Sequence, residues 1–385
     1  MKTINRHIWI LLAVALSSSC IERYFPDTEL NFNPKLVIEG IITNEGGQQE
    51  IVISESSSTD NPVLVPVSGC LVSVEDDHAT NFSFSESSPG HYYGHINPSS
   101  MVAGRGFRLR VITAKGTEYV SSYEELIPCP EVDTVYFELE TKQTTDPGVT
   151  ENGLQFYLDL KGNGDDGRYF RWQLTQTYEY HSTWPLDVWL DWDGRHDLVV
   201  PDYSNFVCYK TDQLKDVFVL STAGFSENSY SKYKLHFVKD QTQLLMYKYS
   251  LLVKQYSLSE PAYNYWENLR KNNQQTVDLF GKQPGNVKGN IYNMTDPSEV
   301  ALGYFGVSSV QTKRIIVLPM EGLKFDKVFR CRALVIEVIF PEDRPFYFAR
   351  DQDMNGEWYI GEAAPECIFC TMHGGTTEKP PYWDK

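Results

Sequence analysis

Three things are scarce in this chain: apolar runs, positive charge and catalytic signatures. The N-terminal apolar run, Ile8 to Leu16, holds nine residues. A helix needs ~20 to cross a bilayer, which argues against a transmembrane anchor. Lys and Arg total 34 against 51 Asp and Glu, a formal net charge of -17. A chain that acidic repels nucleic acid and anionic membrane surfaces. His-Glu-x-x-His, Gly-x-Ser-x-Gly and Gly-x-x-x-x-Gly-Lys-Ser/Thr are all missing. An acid pair such as Asp187 with Asp191 fits a glycosidase in principle, but among 51 acids that pairing carries no weight. No internal repeat and no long disordered tail is visible.

What is present begins at the N-terminus. Lys2, Arg6 and His7 precede the apolar run, and Ser17-Ser18-Ser19-Cys20 follow it. A charged segment, an apolar segment and small residues before a cleavage point make residues 1–19 a secretory signal peptide. Cys directly after the small residues looks like a bacterial lipobox, so Cys20 is the expected site of lipidation by palmitate-type acyl chains. The usual Leu three positions before Cys is replaced by Ser17, with Leu16 one place further off. The competing reading is an ordinary signal peptide with Cys20 in a disulfide. Removing residues 1–19 takes away Lys2 and Arg6 and no acid, so the mature charge is near -19. Residues 20–34 form the tether, and Glu22 is a weak version of the acidic signal for surface export.

Seven Cys less Cys20 leave Cys70, Cys129, Cys208, Cys331, Cys367 and Cys370. Six in an exported chain allow up to three disulfides. Cys70 and Cys129 bracket the N-terminal region and are the expected pair there.

The composition suits a mostly β protein: aromatics are 14% and apolar residues 41%. Between Lys35 and Ser122 short strands alternate with turns. Phe107, Leu109 and Val111 share one face and Arg108 and Arg110 the other, the period of two of a half-buried strand. About seven strands here predict an immunoglobulin-like β-sandwich over 35–127. Pro128-Cys129-Pro130 reads as a hinge into a larger β-rich domain, 128–385. Its expected strands include Leu154 to Leu160, Tyr169 to Leu174, Leu244 to Leu252 and Leu334 to Phe340. One α-helix is expected near 260–272. Ser259 caps it, Glu260 complements its dipole and Pro261 fits its first turn. Ala262, Tyr265, Trp266 and Leu269 make one apolar stripe for packing on the second sheet.

Three constellations invite a site. Cys367-x-x-Cys370 has Pro365 before it and Gly374-Gly375 after it, which opposes a redox helix. Zinc would need His373 and a fourth ligand such as Cys331 or Cys208. The plainer reading joins the pair to Cys208 and Cys331 in disulfides that staple the C-terminal tail. Asp351, Asp353 and Asn355, with Gly356 and Glu362 at the twelfth position, satisfy a calcium-loop pattern. An acidic hairpin turn is the competing reading. Tyr178, Tyr180, Trp184, Trp189 and Trp192, beside Asp191 and Asp193, resemble a sugar- or protein-binding surface. Their competing reading is a loop that buries its own rings.

Three blocks resemble the DUF4249 family of Bacteroidota outer-membrane lipoproteins. They are Leu36-Val37-Ile38-Glu39-Gly40-Ile41-Ile42-Thr43-Asn44; Gly289-Asn290 through Ala301-Leu302-Gly303-Tyr304-Phe305-Gly306-Val307-Ser308-Ser309 to Thr312-Lys313-Arg314; and Cys367-Ile368-Phe369-Cys370 with Gly374-Gly375-Thr376, Lys379-Pro380 and Trp383. The resemblance implies an outer-membrane lipoprotein facing the cell surface, partnered with a TonB-dependent receptor. Cys70 and Cys129 fall outside the family pattern. The expected function is an accessory or substrate-capturing subunit of such a transporter that binds an extracellular ligand without covalent chemistry or a cofactor. The alternatives are a stand-alone surface adhesin or glycan-binding protein and, behind it, an enzyme on surface polymers.

Overall fold

The structure is a computed structural model that describes residues 33–57, 63–275, 287–325, 331–335 and 345–384. The expected signal peptide, Cys20, most of the expected tether and residues 336–340 of the expected strand Leu334 to Phe340 lie outside these residues. No helix among the described residues is long and apolar enough to cross a membrane.

The first unit is an eleven-stranded antiparallel sheet with one parallel pair. Its order runs Ile291–Asn293, Glu118–Ser121, Gly106–Ile112, Leu71–Asp76, Asn81–Ser88, His91–His95, Gln48–Glu55, Leu36–Thr43 and Phe305–Ser308, with two short side strands. The last of these also touches Gly106–Ile112, so the sheet folds over a single core as a sandwich. Phe107, Leu109 and Val111 are buried in that core with Ile38, Ile42 and Ile51. Arg108 and Arg110 face outward and pair with Glu75 at 2.9 Å and Glu118 at 2.6 Å. Alternation along this strand is as its sequence requires.

The segment 35–127 does not complete this unit. Leu36–Thr43 would present an open edge, and open edges are covered in stable sheets. Phe305–Ser308 covers it in parallel register, with Gly40 opposite Phe305 and Ile42 opposite Val307. Gly303 makes the approach feasible: its φ is +90°, and a Cβ there would lie 2.1 Å from the Ile38 carbonyl oxygen. Only glycine accepts both conditions without strain. The domain boundary expected near residue 128 is therefore crossed by the chain's own return.

The second unit packs two sheets face to face. One holds Val132–Gln143, Thr150–Lys161 and Ser229–Lys239. The other holds Val207–Gln213, Tyr169–His181, Tyr249–Ser257 and Val310–Val317, with Phe218–Ser221 beside Tyr169–His181. Leu154, Phe156 and Leu158 meet Phe170, Trp172, Leu174, Tyr249 and Leu251 between them. Each such buried side chain contributes about 2 kcal/mol. The strand expected over Leu244 to Leu252 starts later, at Tyr249.

A smaller four-stranded sheet holds Gly194–Asp202, Leu186–Asp191, Phe346–Gln352 and Trp358–Ala363. Two disulfides fasten the C-terminal region, Cys331–Cys367 and Cys208–Cys370. The tail then crosses Val207–Gln213 and buries Trp383, whose indole nitrogen donates to Glu179 Oε2 at 2.9 Å. Lys248 donates to the Trp383 carbonyl oxygen. Cys70 and Cys129 are both free, which corrects the expected pairing. Cys70 is buried in the first core, while the Cys129 thiol donates to the Gln255 carbonyl oxygen at 3.6 Å in the second unit. Bracketing a segment in sequence does not bring two sulfurs together.

The helix spans Glu260–Gln275. Ser259 Oγ accepts from the Ala262 backbone at 3.2 Å, so the expected cap is present. Ala262 and Tyr265 are buried, and the helix packs on Tyr169–His181 and Phe218–Ser221. Beneath its start sits Glu124, a buried carboxylate from the first unit. It accepts from Ser259 at 2.5 Å, Tyr304 at 2.5 Å and Asn290 at 3.2 Å. Burial raises its pKa above the ordinary 4.5, against the pull of those three hydrogen bonds.

The folded chain therefore holds a proton on Glu124 at pH values where the unfolded chain has released it. The stability this group contributes is full below pH 4.5 and is lost as pH rises through the folded pKa. Urea unfolding of the wild type and Glu124→Gln from pH 4 to 8 checks this. The wild type should lose stability relative to the variant as pH rises, and parallel curves would refute it. Glu124→Ala strands three donors and should cost about 1–3 kcal/mol for each one left unsatisfied.

Candidate binding cleft between the two sandwiches

Strand Tyr169–His181 sends alternate residues to opposite faces. Phe170, Trp172 and Leu174 enter the core of the second unit. Arg171 and Gln173 face the other way, opposite Tyr256 and Lys254 of the neighbouring strand. Those four side chains form one wall of a cleft of about 510 Å³. Its other walls are Leu36–Thr43 and Gln48–Glu55 of the first unit and the helix, through Tyr265 and Trp266. That volume lies within the roughly 300–1,000 Å³ typical of small-molecule sites.

The cleft is tied together across the units. Lys254 pairs with Glu45 at 2.7 Å, and the Val310 amide donates to Asn44 Oδ1 at 2.9 Å. Tyr265 and Tyr304 have ring centroids 4.8 Å apart. Arg171 lies with its guanidinium carbon 3.9 Å from the Trp266 ring centroid and 5.2 Å from that of Tyr256. Burial lowers its pKa. The Tyr256 hydroxyl donates to Gln173 Oε1 at 2.6 Å. Among the described residues lining the cleft there is no Ser, Cys or His. The lining offers cation, carboxylate, amide and aromatic contacts.

The residue order carries only a partial signal of this cleft. Arg171 and Gln173 interrupt the apolar alternation of Phe170, Trp172 and Leu174, and Tyr256 and Lys254 do the same on the strand that pairs with it. Which face of a sheet meets another unit is invisible to that pattern.

The aromatic segment divides instead of forming one surface. Tyr178 and Tyr180 share the parity of Phe170 and are buried in the core. Tyr180 donates to the Cys370 carbonyl at 2.8 Å, and burial pushes Tyr178 up to about 12. Trp184 packs half-buried on the small core of Ala333, Ala349 and Ile368. Trp189 stacks on His196 at 4.7 Å and donates to Asp191 at 3.2 Å. Trp192 alone is well exposed, at 68%. The binding surface expected over all five is corrected accordingly. Asp187 and Asp191 sit four residues apart on one strand, about 13 Å at the usual rise.

Asp351, Asp353, Asn355 and Glu362 belong to a hairpin. Asp353 Oδ1 accepts from the Asn355 and Glu357 amides, each at 2.8 Å, which closes the turn. Asp351 Oδ2 accepts from the Ala333 amide at 3.1 Å. Glu362 lies within the strand opposite Phe348, away from the turn. Asp353 and Asn355 thus form an acidic turn, with Glu362 in the ladder behind it. Among the described residues no group of three His, Cys, Asp or Glu is placed to hold a metal ion. Cys367 and Cys370 bond to different partners, which removes the redox-dithiol and zinc readings of that pair.

A family model described as "Domain of unknown function (DUF4249)" matches residues 21–314. No curated protein matches the chain. Among solved structures, a DUF4785 family protein from Legionella pneumophila aligns at 8% identity, covering 57% of this chain and 51% of that one, with a TM-score of 0.15. The chain thus spans about half the length of that protein. A collagen adhesin from S. aureus aligns at 9% identity over 74% of this chain and 95% of its own, with a TM-score of 0.11. At those scores neither likeness bears on what this chain does.

Proposed function

The chain belongs to the DUF4249 family, and on that premise we propose that it is an outer-membrane lipoprotein that captures a ligand for a TonB-dependent transporter. The observation that carries the binding reading is the cleft of about 510 Å³ between the two sandwiches. It presents a cation flanked by aromatic rings and, among its described lining residues, no Ser, Cys or His. The address rests on the lipobox-like Ser17-Ser18-Ser19-Cys20 and on two disulfides, which suit an oxidising compartment. The transporter partnership rests on what the family resemblance implies.

A second reading, a stand-alone surface adhesin or glycan-binding protein, draws on a different observation. Trp192, Val199 and Val200 are exposed on the hairpin Leu186–Asp202, and exposed apolar groups on one element suit a protein contact.

The test is affinity purification of the tagged native protein from gently solubilised membranes, followed by mass spectrometry. The transporter reading expects a TonB-dependent barrel in stoichiometric amount. Recovery of the protein alone across several detergents would sink that reading and favour the adhesin.

A further inference from the structure

Arginine is almost never buried without a partner, because stripping water from a cation is costly. Arg171 is half-buried in the cleft wall, with its guanidinium carbon over two aromatic rings and no carboxylate partner among the described residues. Its planar faces are covered by Trp266 and Tyr256 at 3.9 and 5.2 Å. Aromatic rings satisfy the faces of a guanidinium, not the N–H groups around its edge. Among the described residues no carboxylate pairs with it, and Lys254, the neighbouring cation, is already held by Glu45. What Arg171 lacks is an anion bound edge-on, the bidentate geometry that guanidinium makes with planar oxyanions.

We propose that Arg171 anchors the carboxylate group of a small ligand held in the cleft between the two sandwiches. The inference rests on the reading of the protein as a ligand-capturing subunit. Charge selects a carboxylate over a phosphate. Glu39, Glu45 and Glu50 also line the cleft, and the whole chain carries -17. The three carboxylates already outnumber the two cations of the lining, so a second negative charge on the ligand adds repulsion that Arg171 alone does not offset. Gln173 uses its Oε1 on Tyr256, which leaves its amide nitrogen as a donor toward the ligand. Tyr265 and Trp266 supply flat apolar surface for the remainder of the molecule. Two sources present this chemistry, an acidic sugar and the C-terminus of a short peptide.

Calorimetry and Trp fluorescence on the purified mature chain distinguish them. The probes are glucuronate against glucose, and N-acetyl-dialanine against its C-terminal amide. One carboxylate probe should bind at least about tenfold tighter than its neutral counterpart, the discrimination expected of a charge-assisted hydrogen bond. Arg171→Gln should weaken that probe by a similar factor, and Arg171→Lys should recover only part of it. The comparison of charged and neutral probes on the unaltered chain stands even if the variants fold poorly. Equal affinity for charged and neutral probes overturns the proposal. So does a folded Arg171→Gln that binds like the wild type, or no carboxylate binding up to about 10 mM. Each of these results leaves the receptor co-purification unchanged, so the two readings fail separately.

Discussion

Replacing Cys20 with Ala should move the protein from the membrane fraction to the soluble fraction almost completely. The argument is one of solvation. The chain's acidity, near -19 after loss of residues 1–19, opposes any electrostatic hold on an anionic bilayer. No helix among the described residues can cross one. On the proposed lipoprotein reading, attachment rests on lipid at Cys20. Each buried methylene contributes about 0.8 kcal/mol; one acyl chain binds marginally, and two or more bind durably. Removing the acceptor thiol removes all of them together. Fractionation and intact mass of the Cys20→Ala variant give the readout, with loss of the acyl mass expected alongside release. The first described strand is Leu36–Thr43, so the melting temperature is expected not to change. A variant that stays in the pellet would show that something other than lipid holds the protein there.

The second large effect is expected at the Cys208–Cys370 disulfide. Its half-cystines are 162 residues apart, and closing so long a loop removes much entropy from the unfolded chain. A Cys208→Ser, Cys370→Ser double variant should lose about 2–5 kcal/mol. In a chain of this size that lowers the melting temperature by on the order of 10 °C. The structure also says where the loss begins. Cys370 lies in the second core and its carbonyl receives the Tyr180 hydroxyl, and the tail beyond it buries Trp383 against Tyr209. Freeing the tail should therefore raise Trp383 exposure, visible as a red shift in fluorescence. Cys331–Cys367 spans 36 residues and should contribute somewhat less. Thermal unfolding with and without reductant checks both bonds. An unchanged melting temperature in the double variant would mean that packing alone holds the tail.

The local features of this chain were readable from residue order. Phe107, Leu109 and Val111 face inward and Arg108 and Arg110 outward because a strand alternates whatever surrounds it. Ser259 caps the helix because its hydroxyl reaches an amide only three residues away. The link from Cys367 and Cys370 to Cys208 and Cys331 also held, since so short a spacing beside Pro365 left disulfides to distant partners as the plainer chemistry. Parity along Tyr169–His181 was equally available, and applied to Tyr178 and Tyr180 it would have placed both rings in the core.

Tertiary structure alone decided the rest. Cys70 and Cys129 stay apart because each is held in a different unit. The first sandwich is closed by Phe305–Ser308, which arrives from some 260 residues later through Gly303. The cleft exists because the polar face of one sheet, carrying Arg171, meets two strands of another unit and a helix. Periodicity and capping act over a few residues and are written locally. Which faces meet is settled by burial and edge pairing summed over the whole chain, and no short window of sequence contains that sum.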